Sequence, residues 1–444
     1  MGGTPAARRA RAVTGGPADS CEMCREVRRN TVGASGLDDP SPPRLVMRWS
    51  GLDVMAGLGS LTPGYALVVP HRHAPSSGDL PAGERSRLHV LARAVAAQIE
   101  RVFACRVTLV EHGSSGKEAG HRGGGCITHC HIHLFPLPPE ADARALVPPG
   151  AHPVDGLGPL IKAADARRNY YYCSWAPSFH YLTLEPPAVS QYARRVWAEI
   201  VGLPDTWDWA AFPYIENCHI TIRELRRDEA RMNETIGAEV LDETLATYEN
   251  NAARYAADTE QFADDSALPH QIDHLLDATT GPVLDAGAGA GRDAHYMAAR
   301  GRPVVAMDAS ASLLTQVKWS APFSRLVADI RDIPLADCSV GAIWCSAVLL
   351  HLGGADVRRS LDELHRVLRP GGIMQISVKE GRGLVSEQLG ESGEVRHFFL
   401  YELPELRALV EEAGFEVTRA WTEEESNSGR SAQSWVKVLA TRRY

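Results

Sequence analysis

The stretch Val283-Leu-Asp-Ala-Gly-Ala-Gly-Ala-Gly-Arg292 decides the fold of the second half of the chain. A short apolar run ends in an acid and a glycine-rich turn, and DAHYMAARG follows with helical spacing, so the segment reads as strand, turn and helix. Glycines 287, 289 and 291 let the backbone approach a ligand where a Cβ would clash. The next apolar run, RPVVAMDAS, ends at Asp308, where a carboxylate can take both hydroxyls of a ribose. A dinucleotide site needs a glycine at the sixth position counted from Gly287, but Arg292 stands there and weakens that reading.

Outward from this turn, VLDAGAG, RPVVAMDAS, FSRLVADI, GAIWCSAVLL and GGIMQISVKE alternate with helix-length segments, the pattern of a doubly wound parallel sheet. FEVTRAW and SWVKVLATRR close the chain as two strands of an antiparallel edge. From about residue 244 to 444 the order of VLDAGAGAG, the acid of AMDAS, ADIRDIPL, AIWCSAVLLHL and ELHRVLRPGG resembles the class I S-adenosylmethionine-dependent methyltransferases, an α/β Rossmann-like fold. One glycine loop is an ordinary strand-to-helix turn; five ordered elements are far more specific.

The resemblance implies that Asp285, Gly287, Gly289 and Gly291 line the methionine and sugar side of S-adenosylmethionine, that Asp308 binds the ribose, and that Asp329 with Ile330 holds the adenine. Ser346 or Cys345 would lie beside the sulfonium, and a helix carrying Tyr248 and Tyr255 would fold over the cofactor. The expected methyl acceptor is a small metabolite, nucleotide-linked ones included, rather than a protein or DNA. His351, Glu380, His397 and Tyr401 are candidate bases by position, and residues 380–402, with Arg396, His397 and two phenylalanines, would enclose a polar acceptor.

In the first half, Thr128-His-Cys-His-Ile-His-Leu-Phe135 places histidines 129, 131 and 133 at period two. On a strand those side chains share one face, and three imidazoles in a row suit a phosphate or a metal. LVMRWSGLDVMAGLGSLTPGYALVVP reads as three strands and GERSRLHVLARAVAAQIERVF as a helix, an α+β pattern. With TPGYALVVPHRHAPS, VEHGSS and GGGCITHCHIHLFP, this part resembles the histidine-triad family over about residues 21–138. The resemblance implies that His131 attacks the α-phosphorus of a nucleotide or nucleotidyl conjugate, with His129 and His133 donating to the phosphate or tuning the nucleophile. Backbone N–H groups of Gly124 and Gly125 would hold phosphate oxygens, with Glu111, His112 and Ser114 nearby. Cys21 and Cys24 have zinc-ligand spacing; in triad relatives such a pair joins two histidines. His129 is one candidate, the second family position falls at Tyr65, and His73 and His112 are substitutes.

The 444 residues exceed one ordinary core, so two domains are expected: 21–235, triad-like with a C-terminal extension, and 240–444, the methyltransferase-like domain. The polar run at 226–243 marks the boundary and residues 1–20 read as a disordered tail. A net charge of −9 gives no electrostatic footprint for nucleic acid. No apolar run is long enough to cross a membrane, and no secretory h-region is present, so a cytoplasmic protein with reduced thiols among its nine cysteines is expected. A homodimer through the triad domain is a candidate assembly. Three functions compete: a methyltransferase fused to a nucleotidyl hydrolase or transferase, a methyltransferase with a non-catalytic nucleotide-binding module, and a tRNA or nucleic-acid methyltransferase that stacks bases on Tyr170, Tyr171, Tyr172 and Trp175.

Overall fold

The computed structural model describes residues 21–32, 44–114, 129–175, 179–187, 189–263, 266–316, 324–389, 394–425 and 433–443. The predicted tail and the glycines at 124 and 125 lie outside them. Two compact units form: residues up to Leu80 with Ile99–Arg227, and Pro81–Gln98 with Asp228–Tyr444.

The first unit holds strands β1 (Leu45–Trp49), β2 (Leu52–Ala56), β3 (Ala66–Pro70), β4 (Arg106–Gly113), β5 (Ile132–Leu137), β6 (His152–Pro153), β7 (Tyr170–Trp175) and β8 (Phe179–Thr183). They make one antiparallel sheet in the order β1-β2-β3-β5-β4-β7-β8-β6. Ser50 and Gly51, both at positive φ, close the two-residue hairpin between β1 and β2, where the strand twist requires a primed turn. Met55, Leu67, Val69, Val110, Phe135, Tyr171, Cys173 and Trp197 meet in a buried cluster. Tyr170, Tyr171 and Tyr172 are all buried, which withholds these three from stacking on a base, while Trp175 is half-buried.

The second unit is built on β9 (Val283–Ala286), β10 (Val304–Asp308), β11 (Ser324–Val327), β12 (Val340–Ser346), β13 (Leu368–Lys379), β16 (Phe415–Glu425) and β17 (Gln433–Arg442), in the order β11-β10-β9-β12-β13-β17-β16. The first five run parallel and the last two add as an antiparallel edge, as the alternation predicts. Strand order reverses between β9 and β12, so the crevice beyond their C-terminal ends is the topological switch point where this architecture takes ligands. A separate hairpin, β14 (Gly383–Gln388) with β15 (Val395–Leu400), occupies the predicted acceptor region. The polar run at 226–243 contains the junction of the two units and is helical over most of its length, in the helix Glu229–Asn250. Met232, Ile236, Val240 and Thr244 form its buried stripe, an amphipathic face that glutamates and a threonine dilute.

No helix among the described residues is long and apolar enough to cross a membrane, and the described cysteines are free thiols.

Candidate functional sites

The glycine turn follows β9 because three successive odd-numbered residues adopt left-handed backbone: Gly287 at φ 82°, Gly289 at 55° and Gly291 at 81°. Gly287 is also sterically required, since a Cβ there would lie 2.0 Å from Val348 Cγ2. The Gly289 N–H donates to Asp308 Oδ2 at 2.8 Å, and the Ser310 N–H donates to Oδ1 at 2.8 Å. These bonds lock the acid at the end of β10 beside the turn. Gly287, Gly289, Asp308, Asp329, Ile330 and Ser346 line one cleft of about 790 Å³, part of it open to solvent, together with Tyr248, Tyr255 and His351.

Asp285 and Gly291 do not line the cleft. Gly291 caps the helix Arg292–Ala299, and Asp285 is buried with one carboxylate oxygen lacking any partner. Burial and the nearby Asp293 and Asp308 push its carboxyl well above the usual range. Asp308 is raised too, by burial. Arg331 grips Asp329 at 2.7 Å. Ser346 exchanges a hydrogen bond of 2.9 Å with Ser377, whereas Cys345, the alternative at that strand end, points into the core.

This arrangement fits S-adenosylmethionine: a glycine turn too tight for side chains, acids at the ends of adjacent strands, and an unsatisfied buried carboxylate oxygen able to receive an ammonium or a bridging water.

Of the four candidate bases, only His351 lines the cleft. Its Nδ1–H donates to the His397 carbonyl at 2.9 Å, which leaves Nε2 to accept from the Tyr248 hydroxyl at 3.1 Å. Burial lowers its pKa to about 3, so the imidazole is neutral and a weak base. Tyr401 donates to the Leu352 carbonyl, Ser434 holds Glu380, and His397 is buried against Ser386. Those three are absorbed by the fold.

In the first unit, the structure corrects the picture of three histidines on one face. Strand β5 begins only at Ile132, so His129 and His131 precede it and period two does not govern them. His131 and His133 do lie together, with ring centroids 4.6 Å apart. The His131 Nδ1–H donates to the His129 carbonyl at 2.6 Å, which leaves Nε2 with its lone pair available for attack. His133 Nδ1 shares a 2.8 Å hydrogen bond with the Tyr65 hydroxyl, and burial holds its pKa well below the usual range. His112 approaches His133 edge-on at 6.3 Å; its Nδ1 is buried without a partner, and burial followed by the charge of His131 lowers its pKa to about 3. Glu111 is fully enclosed, accepting from Ser77 N–H, Ser77 Oγ–H and Tyr170 Oη–H, so it anchors the 74–80 segment.

His129 turns the other way, toward the cysteine pair. Cys21, Cys24, His73 and His129 bring one ligand atom each within 4.8 Å of one another. Cys24 Sγ lies 3.3 Å from His129 Nδ1 and 3.3 Å from His73 Nδ1, and Cys21 Sγ lies 3.6 Å from His129 Nδ1. Tetrahedral zinc with ordinary bond lengths separates sulfur and nitrogen ligands by about 3.5 Å. The His129 Nε2–H donates to the Pro70 carbonyl at 2.9 Å, which fixes the tautomer whose Nδ1 faces the cysteines. The donor set therefore fits zinc. His73, not Tyr65, completes it: Tyr65 precedes β3 and its hydroxyl reaches His133, while His73 lies just beyond the far end of that strand.

Two family models match the chain: a methyltransferase domain over residues 284–376 and a HIT domain over residues 54–140. A malonyl-[acyl-carrier protein] O-methyltransferase of Pseudescherichia vulneris is 31% identical over 176 residues, which cover 38% of this chain and 67% of that protein. The chain belongs to the methyltransferase family and carries a HIT domain. The protein of the same name from Salmonella typhimurium is 38% identical over 133 residues, or 27% of this chain, and the chain spans about half, 49%, of that relative's length. A solved structure, the 1,6-didemethyltoxoflavin-N1-methyltransferase of Burkholderia thailandensis, is 22% identical with a TM-score of 0.36, covering 46% of this chain and 90% of that one.

Proposed function

We propose that the chain is a bifunctional enzyme, an S-adenosylmethionine-dependent methyltransferase acting on a small metabolite, nucleotide-linked ones included, fused to a nucleotidyl hydrolase or transferase. The observation that carries the first activity is the single cleft in which Gly287, Gly289, Asp308, Asp329, Ile330 and Ser346 converge at the switch point of the sheet. The cofactor, when bound, supplies an electrophilic methyl group. Asp308 would accept from ribose hydroxyls while Gly289 and Ser310 hold it in place, Asp329 with Ile330 would read the adenine, and Asp285, which lies behind the cleft, would reach the methionine amino group through a bridging water. Tyr248 and Tyr255 would cover the reacting end and exclude water, so the chain contributes alignment and desolvation more than proton transfer. The relatives named malonyl-[acyl-carrier protein] O-methyltransferases support transfer to an oxygen acceptor.

In the HIT domain, His131 Nε2 would attack the α-phosphorus, expelling the leaving group and forming a phosphorus–nitrogen bond that water or an acceptor then breaks. His133 would donate through Nε2, with Tyr65 fixing its ring. His129, together with Cys21, Cys24 and His73, would hold a structural zinc rather than touch phosphate. The single-activity reading, in which the triad is a binding module, leaves the lone pair of His131 Nε2 without a task.

The full chain, incubated with labelled S-adenosylmethionine and separately with AMP-morpholidate, tests both halves. Label is expected in a small-metabolite fraction and AMP is expected as a product. Methyl transfer to bulk tRNA or DNA at enzyme-like rates overturns the small-molecule reading, and no AMP release replaces the triad hydrolase with the module.

A further inference from the structure

Beside the cleft lies a cluster that cofactor binding does not account for. Arg396, on β15, is 92% buried (8% exposed), yet its Nε–H has no hydrogen-bond partner. Its guanidinium makes one hydrogen bond, from Nη1 to the Tyr248 hydroxyl at 3.4 Å, and stands 3.6 Å from Glu387. Three rings surround it, those of Tyr248, Tyr255 and Phe398, at 5.5, 5.9 and 5.3 Å from the guanidinium carbon. Two of these, Tyr248 and Tyr255, line the cleft.

Lys379 is a second buried cation, 3.9 Å from the centre of the Phe398 ring and ion-paired with Glu387. Glu387 therefore contacts both cations. Asp308, which lines the cleft, is already engaged by the Gly289 and Ser310 N–H groups. A buried guanidinium with an orphaned N–H is costly to maintain unless an anion completes it. Its flat fork matches a carboxylate bidentately.

We propose that Arg396 binds a carboxylate group of the methyl acceptor, a proposal that rests on the methyltransferase reading of the cleft. The acceptor enters with its carboxylate against Arg396, Tyr248 aligns it through the hydroxyl that bridges to His351, and Lys379 with Glu387 sets the local charge. Neutral acceptors of similar shape are rejected because they leave the guanidinium uncompensated.

The test uses the full chain saturated with S-adenosylhomocysteine, with binding of monomethyl succinate, dimethyl succinate and inorganic phosphate read by calorimetry. Monomethyl succinate is expected to bind, and the neutral diester and phosphate more weakly. Arg396→Gln is expected to weaken the monoester by about tenfold or more while affinity for S-adenosylhomocysteine stays within about twofold. Should that variant fail to fold, the Nε–H resonance of Arg396 in the unmodified chain reads the same contact: it shifts with the monoester and stays still with the diester. Binding of S-adenosylhomocysteine without monoester binding, or unchanged monoester affinity in the variant, overturns the proposal. A parallel loss of S-adenosylhomocysteine affinity would assign Arg396 to the cofactor's own carboxylate and overturn it as well, as would preference for phosphate. If the unmodified chain binds no S-adenosylhomocysteine, the methyltransferase reading itself has failed, a different result from the loss of Arg396's role alone.

Discussion

The glycine turn after β9 and the histidine run before β5 are both short motifs, and they translate into structure differently. At the turn, each residue's place follows from backbone topology: strand ends stack side by side, so Gly287, Asp308, Asp329 and Ser346, far apart in sequence, reach one cleft. At the histidine run, side-chain alternation holds only where the strand exists. Because β5 starts at Ile132, His133 obeys the alternation, His131 is fixed by its own bond to a backbone carbonyl, and His129 swings to the cysteines. Motifs read through topology tolerate irregular local backbone; motifs read through periodicity do not.

The sharpest way to separate the two regions is His131→Ala. AMP release from AMP-morpholidate should fall on the order of 10³-fold, since the atom that forms the bond is gone, while methyl transfer is unaffected. Retention of AMP release, with contaminating phosphatases excluded, would remove the triad from the chemistry. A smaller effect is expected from the other branch of the same histidine run. Cys24→Ser, or removal of zinc by a chelator, should lower the unfolding free energy by about 3 kcal/mol and abolish the bound metal in elemental analysis. Tyr65→Phe should leave zinc content unchanged, because Tyr65 bonds His133 and no metal ligand. Full stability in metal-free protein, or zinc loss in Tyr65→Phe, would contradict the assignment of His73 as the fourth ligand.

Much of the second unit was legible in sequence. The strand–helix alternation predicts the parallel sheet and its antiparallel edge, and six of the eight proposed cofactor residues line the cleft; Asp285 and Gly291 support it from behind. What escaped has physical reasons. The helix Glu229–Asn250 hides its apolar stripe among glutamates, so the segment reads as a polar boundary. The link from Tyr248 to His351 and Arg396 joins a helix, a turn and a hairpin, and no spacing rule connects such residues. Residues 380–402 did signal an acceptor region, through an arginine and two phenylalanines where the fold commonly inserts elements. In the first unit, Cys21 and Cys24 were legible by spacing, but choosing between Tyr65, His73 and His112 required knowing where β3 begins and ends.

The claim on which both halves of the account turn is that the glycine-turn cleft binds S-adenosylmethionine through Asp308, independently of the triad. Calorimetry of S-adenosylhomocysteine against the full chain, Asp308→Ala and His131→Ala measures it directly. Saturable one-to-one binding is expected in the unmodified chain, weakened by about 2 kcal/mol in Asp308→Ala through loss of the ribose acceptor and unchanged in His131→Ala. Undetectable binding by the folded, unmodified chain, or equal affinity in Asp308→Ala, would contradict it.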